Sequence, residues 1–373
     1  MNRTTVCGDA AIVCDVASHA PDDWQQLLLA TAAVDYSQTQ HWQDVICRHR
    51  PGARQVWLTA RRNGALVGGL AAIVTPAVRR LGGLIALHRI DSSVDGVSGG
   101  PLLHPALSEA EQLSLASELV QLFLAQRPAG LASAAVALNA GFERRLGEVL
   151  TPAQGWRRRS SPTAVVSLAG GPEVVARDRL VVNKRNERNR GLRRGAEVFA
   201  TSDPDLLGEY YPIYEKASAH WGVPPLSLDL LSDLLADPDG RVFFTCVRLE
   251  NRVIGGHLCL HLGDFVFAWH GVTDPEFARS HFPATLCFWG DIVEACQRGA
   301  RWLDFGASGG VNSLSGFKKY FGAELMERGF YVNDSSSMAV LRRGQYIMKR
   351  MQIRRRGRWH DGATGDHRRG HGQ

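Results

Sequence analysis

Two runs of apolar residues, each broken by a polar turn, occur along this chain in the same order. Val56-Trp57-Leu58-Thr59-Ala60 meets Arg62-Asn63-Gly64, and the chain resumes from Leu66 to Val74. The Asn-Gly pair supplies the positive φ angles of a tight turn, so a β-hairpin is predicted there. Val242-Phe243-Phe244-Thr245-Cys246-Val247 can be laid against the first run, and both resume with an apolar pair and two glycines: Leu66-Val67-Gly68-Gly69 and Val253-Ile254-Gly255-Gly256. A Gly/Pro-bearing stretch, an amphipathic helix and a strand follow each hairpin. In the first copy these are Gly99-Gly100-Pro101, Ser108 to Gln126 and Leu131 to Leu138. In the second they are Gly271 to Pro283, Ala284 to Arg298 and Trp302 to Phe305. Ser108-Glu109-Ala110-Glu111 is a capping pattern for the first of these helices. Two copies of hairpin–strand–helix–strand, about 186 residues apart, predict a duplicated α/β chain.

Around these copies the pattern predicts further elements. Residues 22–50 suggest two helices, one carrying Trp24, Leu27, Leu28 and Leu29, the other His41 to Ile46. The run from Leu180 to Gly195 is strongly basic. As a helix it gathers Lys184, Arg185, Arg188 and Asn189, either as a solvated face or as an anion-binding one; Gly195 is its stop. Tyr210 to Leu235 reads as helix broken at His220-Trp221-Gly222-Val223-Pro224-Pro225, where Trp221 is a plug into the core or part of a binding loop. Arg301 to Ala323 is a short buried strand ending at Gly306, then a loop of small residues including Ser308, then Lys318 and Lys319 between aromatics. A close-approaching backbone followed by paired cations suits a phosphate, a carboxylate or a developing oxyanion; a surface loop with solvated lysines is the plain alternative.

Composition changes this picture little. The 373 residues, 45% hydrophobic and 21% charged, are those of a soluble globular chain with room for two domains. No apolar run reaches membrane-span length and the first residues lack a signal-peptide layout, so a cytoplasmic location is expected. Seven scattered cysteines without a CxxC read as reduced residues, and no cluster has metal-ligand spacing. The net charge of +6 belongs to one end: ten Lys or Arg against two Asp lie from Arg342 onward, leaving −2 on the rest. This predicts a basic, disordered tail over residues 351–373, able to touch tRNA or an anionic surface.

The run Asp304-Phe305-Gly306, small-residue loop, Phe317-Lys318-Lys319-Tyr320-Phe321-Gly322-Ala323 resembles the C-terminal signature of the Fem-type aminoacyltransferases. Their relatives include the CelD-like acyltransferases, within the GNAT-fold N-acyltransferases. Ser37-Gln38-Thr39-Gln40-His41-Trp42 is similar to the opening helix of Fem-like domains, the basic run at 184–195 to the start of the second one, and the Trp221-Gly222 break to a loop bordering the substrate cleft. The resemblance implies tandem GNAT-like domains, each a mixed central sheet flanked by helices, at 1–165 and 166–350. It implies amide formation from an activated acyl donor. Lys318 would stabilise the oxyanion or donor phosphate, His270 would relay a proton and Asp304 would orient the loop or an amine. Lys184, Arg185 and Arg188 would hold a phosphate-bearing substrate, with Trp221, Ser308 and Lys319 completing the binding residues.

No Ser-His-Asp elbow or Cys-His pair is present, so direct attack by the acceptor amine is expected, with no bound cofactor or metal. The donor implied is aminoacyl-tRNA, and the acceptor a peptide, a cell-wall precursor or a small amine natural product. The alternative is acetyl-CoA acting on an amino sugar or polysaccharide precursor. Val272 to Leu286 lacks the glycine-bearing pyrophosphate turn of ordinary GNAT acetyltransferases, which counts against acetyl-CoA. The long helical arm of Fem enzymes is also missing, which removes one expected tRNA contact. A non-catalytic protein holding RNA or an anionic polymer on its basic patches is the reading from another class.

Overall fold

The computed structural model describes residues 3–7, 10–31, 34–80, 84–139, 146–309 and 311–343. The tail expected at 351–373 lies outside the described residues. The first half runs β1 (Arg3–Cys7), β2 (Ala10–Ala17), α1 (Trp24–Ala30), α2 (Gln40–Arg48), β3 (Arg54–Arg62), β4 (Ala65–Arg80), β5 (Ile85–Asp91), β6 (Leu102–Leu103), α3 (Glu109–Ala125), β7 (Ala132–Ala137) and β8 (Trp156–Ser160). The second runs β9 (Thr163–Ser167), α4 (Val182–Arg193), β10 (Ala196–Thr201), α5 (Pro204–Trp221), α6 (Leu228–Leu235), β11 (Val242–Leu249), β12 (Arg252–Leu262), β13 (Phe265–Thr273), α7 (Pro283–Gln297), β14 (Trp302–Ala307), α8 (Asn312–Lys319), β15 (Glu324–Met326) and β16 (Gly329–Asp334). The capping box at the head of α3 forms as expected, with the Ser108 hydroxyl and the Glu111 carboxylate each capping the other's backbone N–H.

Two mixed sheets result. The first has the order β1-β2-β3-β4-β5-β7-β16-β8, with β6 beside β4, and the second the order β10-β11-β12-β13-β14-β9-β15. Each contains one parallel pair, β5 with β7 and β13 with β14. That is the same sheet twice, with one reciprocal exchange. The last strand of each copy crosses over: β9 pairs with β14, and β16 returns from the chain's end to pair with β7. The boundary expected at 165/166 therefore falls inside β9, and a strand numbered in the second half completes the first sheet.

The sheet registers also correct the internal alignment by one residue. The bulges fall at Ala60/Arg61 and Val247/Arg248, and the positive-φ turn residues are Asn63 and Glu250. Both place the copies 187 apart. A one-residue slip exchanges the two faces of a strand, so Trp57 corresponds to Phe244. The error arises because both strands are buried on both faces, leaving no alternation to fix the register.

Trp57 and Ile73 of the first sheet and Phe244 and Leu258 of the second meet α1, α2, α5 and α6 in one core shared by the two halves. α3 covers the opposite face of the first sheet, through Leu115, Leu119 and Phe123, and α7 covers that of the second, through Phe288 and Ile292. Trp42 of α2 meets Trp269 of β13 edge-on at 5.3 Å. Among the described residues no helix is long and apolar enough to cross a membrane, and no group of side chains could hold a metal ion.

Candidate active site

β13 and β14 run side by side only from Phe265/Trp302 to Phe267/Asp304. Beyond that point β14 keeps only its other neighbour, β9, as far as Ala307 and Thr163, while β13 continues to Thr273. The parting strands leave a cleft of about 400 Å³ walled by Phe267, Trp269, Phe288, Phe305 and Leu314. Its polar residues are His257, Lys318, Arg328 and Asp95. The first half supplies one edge, where the Trp269 indole N–H donates to the Asp95 carbonyl at 3.0 Å.

The Asp-Phe-Gly sequence builds the base of this cleft. The Asp304 carboxylate accepts the Gly306 N–H at 2.6 Å and the Thr163 hydroxyl. Gly306 takes φ 77, a left-handed conformation a side chain would strain, and the chain turns into α8. Lys318, at 3% exposure, donates from Nζ to the Gly306 carbonyl at 2.9 Å and the Ala307 carbonyl at 3.2 Å. An ammonium has three N–H groups, so one remains for a ligand. Burial lowers the Lys318 pKa to about 8, against the pull of Asp304. Burial likewise raises Asp304, opposed by its Thr163 hydrogen bond and by Arg328.

The other expected residues are placed as follows. Ser308 lines a neighbouring recess of about 300 Å³ with Ser160 and Asn312, and its hydroxyl is sealed with no partner among the described residues. Lys319 is exposed on α8. His270 is packed against α5, its ring 4.0 Å from that of Tyr214 and its Nδ1 3.5 Å from the Tyr210 hydroxyl. It is absent from the cleft wall, and burial lowers its pKa to about 4, so it is neutral near pH 7. Trp221 is 58% exposed in the last turn of α5, neither a core plug nor a cleft residue.

Lys184 is buried, paired with Glu187 at 2.6 Å and 4.4 Å above the Phe317 ring. It braces α4 against α8, and its ammonium is already engaged. Arg185 donates to the carbonyls of Ala176 and Arg177, and Arg188 stacks over Trp289 at 4.3 Å. The cations expected to bind an anion are thus engaged within the protein, by acceptors close in sequence and by aromatic rings distant in sequence.

Sequence reasoning missed His257, Asp291 and Arg328. His257 Nδ1 lies 2.6 Å from an Asp291 carboxylate oxygen, and Asp291 is fully buried. The available signal was an acid in the apolar run Phe288-Trp289-Gly290-Asp291-Ile292-Val293, since a buried carboxylate requires a partner. Arg328 is buried between the two halves. It reaches the Ser98 hydroxyl and the Gly96 carbonyl at 3.4 Å each, and its charge acts on Asp35 and Asp304.

A parallel strand pair that parts beside a crossover helix, present twice in one chain, is the arrangement of GNAT-fold acyltransferases. Residues 181–319 match the family model of the acetyltransferase (GNAT) domain, and the protein is an acyltransferase of that fold. In structure the chain is similar to the crystal structure of FemX, with a TM-score of 0.66, 13% sequence identity, and 88% of this chain and 99% of that one covered. It is also similar to the structure of L-PGS from Bacillus licheniformis, at a TM-score of 0.51 and 11% identity, with 87% and 95% covered. At these identities the likeness is one of fold. No curated protein sequence matches the chain.

Proposed function

We propose that the chain joins an acyl group to an amine by direct attack, with aminoacyl-tRNA as donor and an amine of a peptide, a cell-wall precursor or a small natural product as acceptor. The observation that carries this reading is the Lys318 ammonium, buried where the strands part, with one N–H left for the carbonyl oxygen as it gains charge. Among the described residues the cleft wall contains no Ser, Thr or Cys, which supports attack by the acceptor itself over a covalent enzyme intermediate. The unprotonated amine forms the C–N bond, the charge on oxygen lies against Lys318, and collapse expels the terminal ribose hydroxyl. Ser308 in the neighbouring recess and Lys319 on the exposed side of α8 are assigned to substrate binding.

The choice of donor rests on the N-terminus of α7, where ordinary GNAT acetyltransferases take the CoA pyrophosphate. Here α4 lies against that turn: a Cβ on Gly191 would fall 2.6 Å from the His281 carbonyl oxygen. Arg190 stacks on Phe282 at 4.8 Å, and Arg194 donates to the Ser280 carbonyl. The second reading, acetyl-CoA-dependent transfer to an amino sugar or polysaccharide precursor, is favoured by the family model's description as an acetyltransferase domain. Labelled aminoacyl-tRNAs and acetyl-CoA, supplied separately to the chain with cell-extract amines and with or without RNase, separate the two. RNase-sensitive labelling from the tRNA pool, lost in Lys318→Ala, is expected; labelling from acetyl-CoA alone would replace the first reading with the second.

A further inference from the structure

His257 of β12 is held on the cleft wall in one orientation. Its Nδ1 faces the Asp291 carboxylate of α7 at 2.6 Å, so Nδ1 carries the proton and Nε2 the lone pair. Asp291 has no exposure, and its other acceptor oxygen takes the Cys259 thiol at 3.3 Å. The imidazole is wedged in place: a Cβ on Gly271 would stand 1.9 Å from the His257 Cδ2. The Phe288 ring meets it edge-on at 5.0 Å. Nε2 has no hydrogen-bond partner among the described residues, and the side chain keeps 10% of its surface open.

The other titratable groups of the cleft cannot accept a proton so readily. Lys318 and Arg328 are cations, and Asp95 is ion-paired with Arg50. An amine attacking a carbonyl must lose a proton as the C–N bond forms. We propose that His257, oriented by Asp291, is the proton acceptor for the attacking amine; this rests on the acyl-transfer reading above.

The amine lone pair forms the C–N bond and the carbonyl electrons move onto oxygen beside Lys318. The N–H proton passes to His257 Nε2. Collapse then breaks the acyl C–O bond of an ester, or the C–S bond of a thioester. The leaving oxygen or sulfur takes the proton back from the imidazolium, and the dyad ends as it began. Asp291 acts as a positioning residue, fixing the tautomer.

The groups that face the dyad are accounted for in any pH profile. Burial, together with the Asp291 charge, pushes the Cys259 and Cys287 thiols up. His270 is held at about 4 and Lys318 at about 8.

The test uses the full chain with pooled aminoacyl-tRNA or acetyl-CoA as donor, and glycinamide as a model acceptor. His257→Gln is expected to lower kcat by about 10²- to 10⁴-fold with little change in KM, and to be partly rescued by added imidazole. Asp291→Asn should shift kcat the same way, with circular dichroism confirming the fold of both. A folded His257→Gln with wild-type kcat would overturn the assignment and leave the acyl-transfer reading standing. A wild-type chain that transfers from neither donor would overturn that reading, and the assignment with it. Nitrogen-15 NMR of the wild-type histidines does not depend on activity: a neutral His257 carrying its proton on Nε2 would also overturn the proposal.

Discussion

Lys318→Met removes the cleft's buried ammonium while keeping an unbranched side chain of similar length. Burial takes Lys318 from 10.5 to about 8, which at 1.36 kcal/mol per unit means the folded state carries a cost of about 3 kcal/mol at pH 7. The folded pKa lies below the unfolded one, so this cost is complete below pH 8 and is relieved as pH rises toward 10.5. Against it, methionine leaves the Gly306 and Ala307 carbonyls without their donor, at about 1–3 kcal/mol for each group that stays dry. The two effects largely offset, and the variant should stay folded at pH 7 within about 3 kcal/mol of wild type. Turnover should not survive: losing one oxyanion donor costs about 10²–10³ in kcat, with KM changed less because the charge acts mainly in the transition state. Urea unfolding at pH 7 and 9.5, beside steady-state kinetics, reads both effects. Wild type should gain stability relative to the variant between the two pH values. A folded Lys318→Met enzyme with near wild-type kcat would refute the reasoning, as would a stability gap indifferent to pH.

Asp35, half-buried between the halves, has its carboxyl raised from 3.8 to about 6 by loss of water around it, opposed by its Asn139 hydrogen bond and Arg328. Its folded pKa lies above the unfolded one, so stability falls as pH rises from about 4 to 6, by about 3 kcal/mol. Asp35→Asn should flatten that fall and stabilise the protein at pH 7, as urea unfolding at pH 4 and 7 would show; no gain at pH 7 would contradict it. Ending the chain after Arg328 removes β16, which leaves β8 unpaired and β7 held only by β5. The truncated protein should therefore lose the cooperative melting of its first half, whereas an unchanged melting profile would mean that the strand exchange is dispensable.

The duplication was legible because turn chemistry is local: a polar turn, Asn63-Gly64 in one copy and Glu250-Asn251 in the other, and a following pair of glycines mark both hairpins whatever surrounds them. Lys318 was legible because it follows a strand end and a small-residue loop in continuous sequence. The exchange of β9 and β16 was not, since two short apolar strands carry no mark of which edge they will join. The basic helix misled for a related reason. Lys184 and Arg188 look free in sequence, and their occupants, Phe317 and Trp289, become neighbours only when α8 and α7 pack on α4. His257 and Asp291 stand 34 residues apart on different elements, so the histidine drew no notice while His270, at a strand end, did. β13 bears Trp269 and Gly271 on the cleft while His270 packs on α5, the ordinary alternation of a strand, and which of the two faces meets the cleft is set by packing that sequence does not announce.

The most direct measurement is hydrogen exchange of the full chain with and without the donor that supports turnover, read by mass spectrometry on wild type and Lys318→Met. Slowed exchange over Phe265–Thr273 and 302–319, weakened in the variant, is the expected result for transfer where β13 and β14 part. Slowing centred instead on the open groove of the first sheet around Thr75, Leu87 and Arg89, with the cleft unchanged, would place the chemistry elsewhere and contradict the site described here.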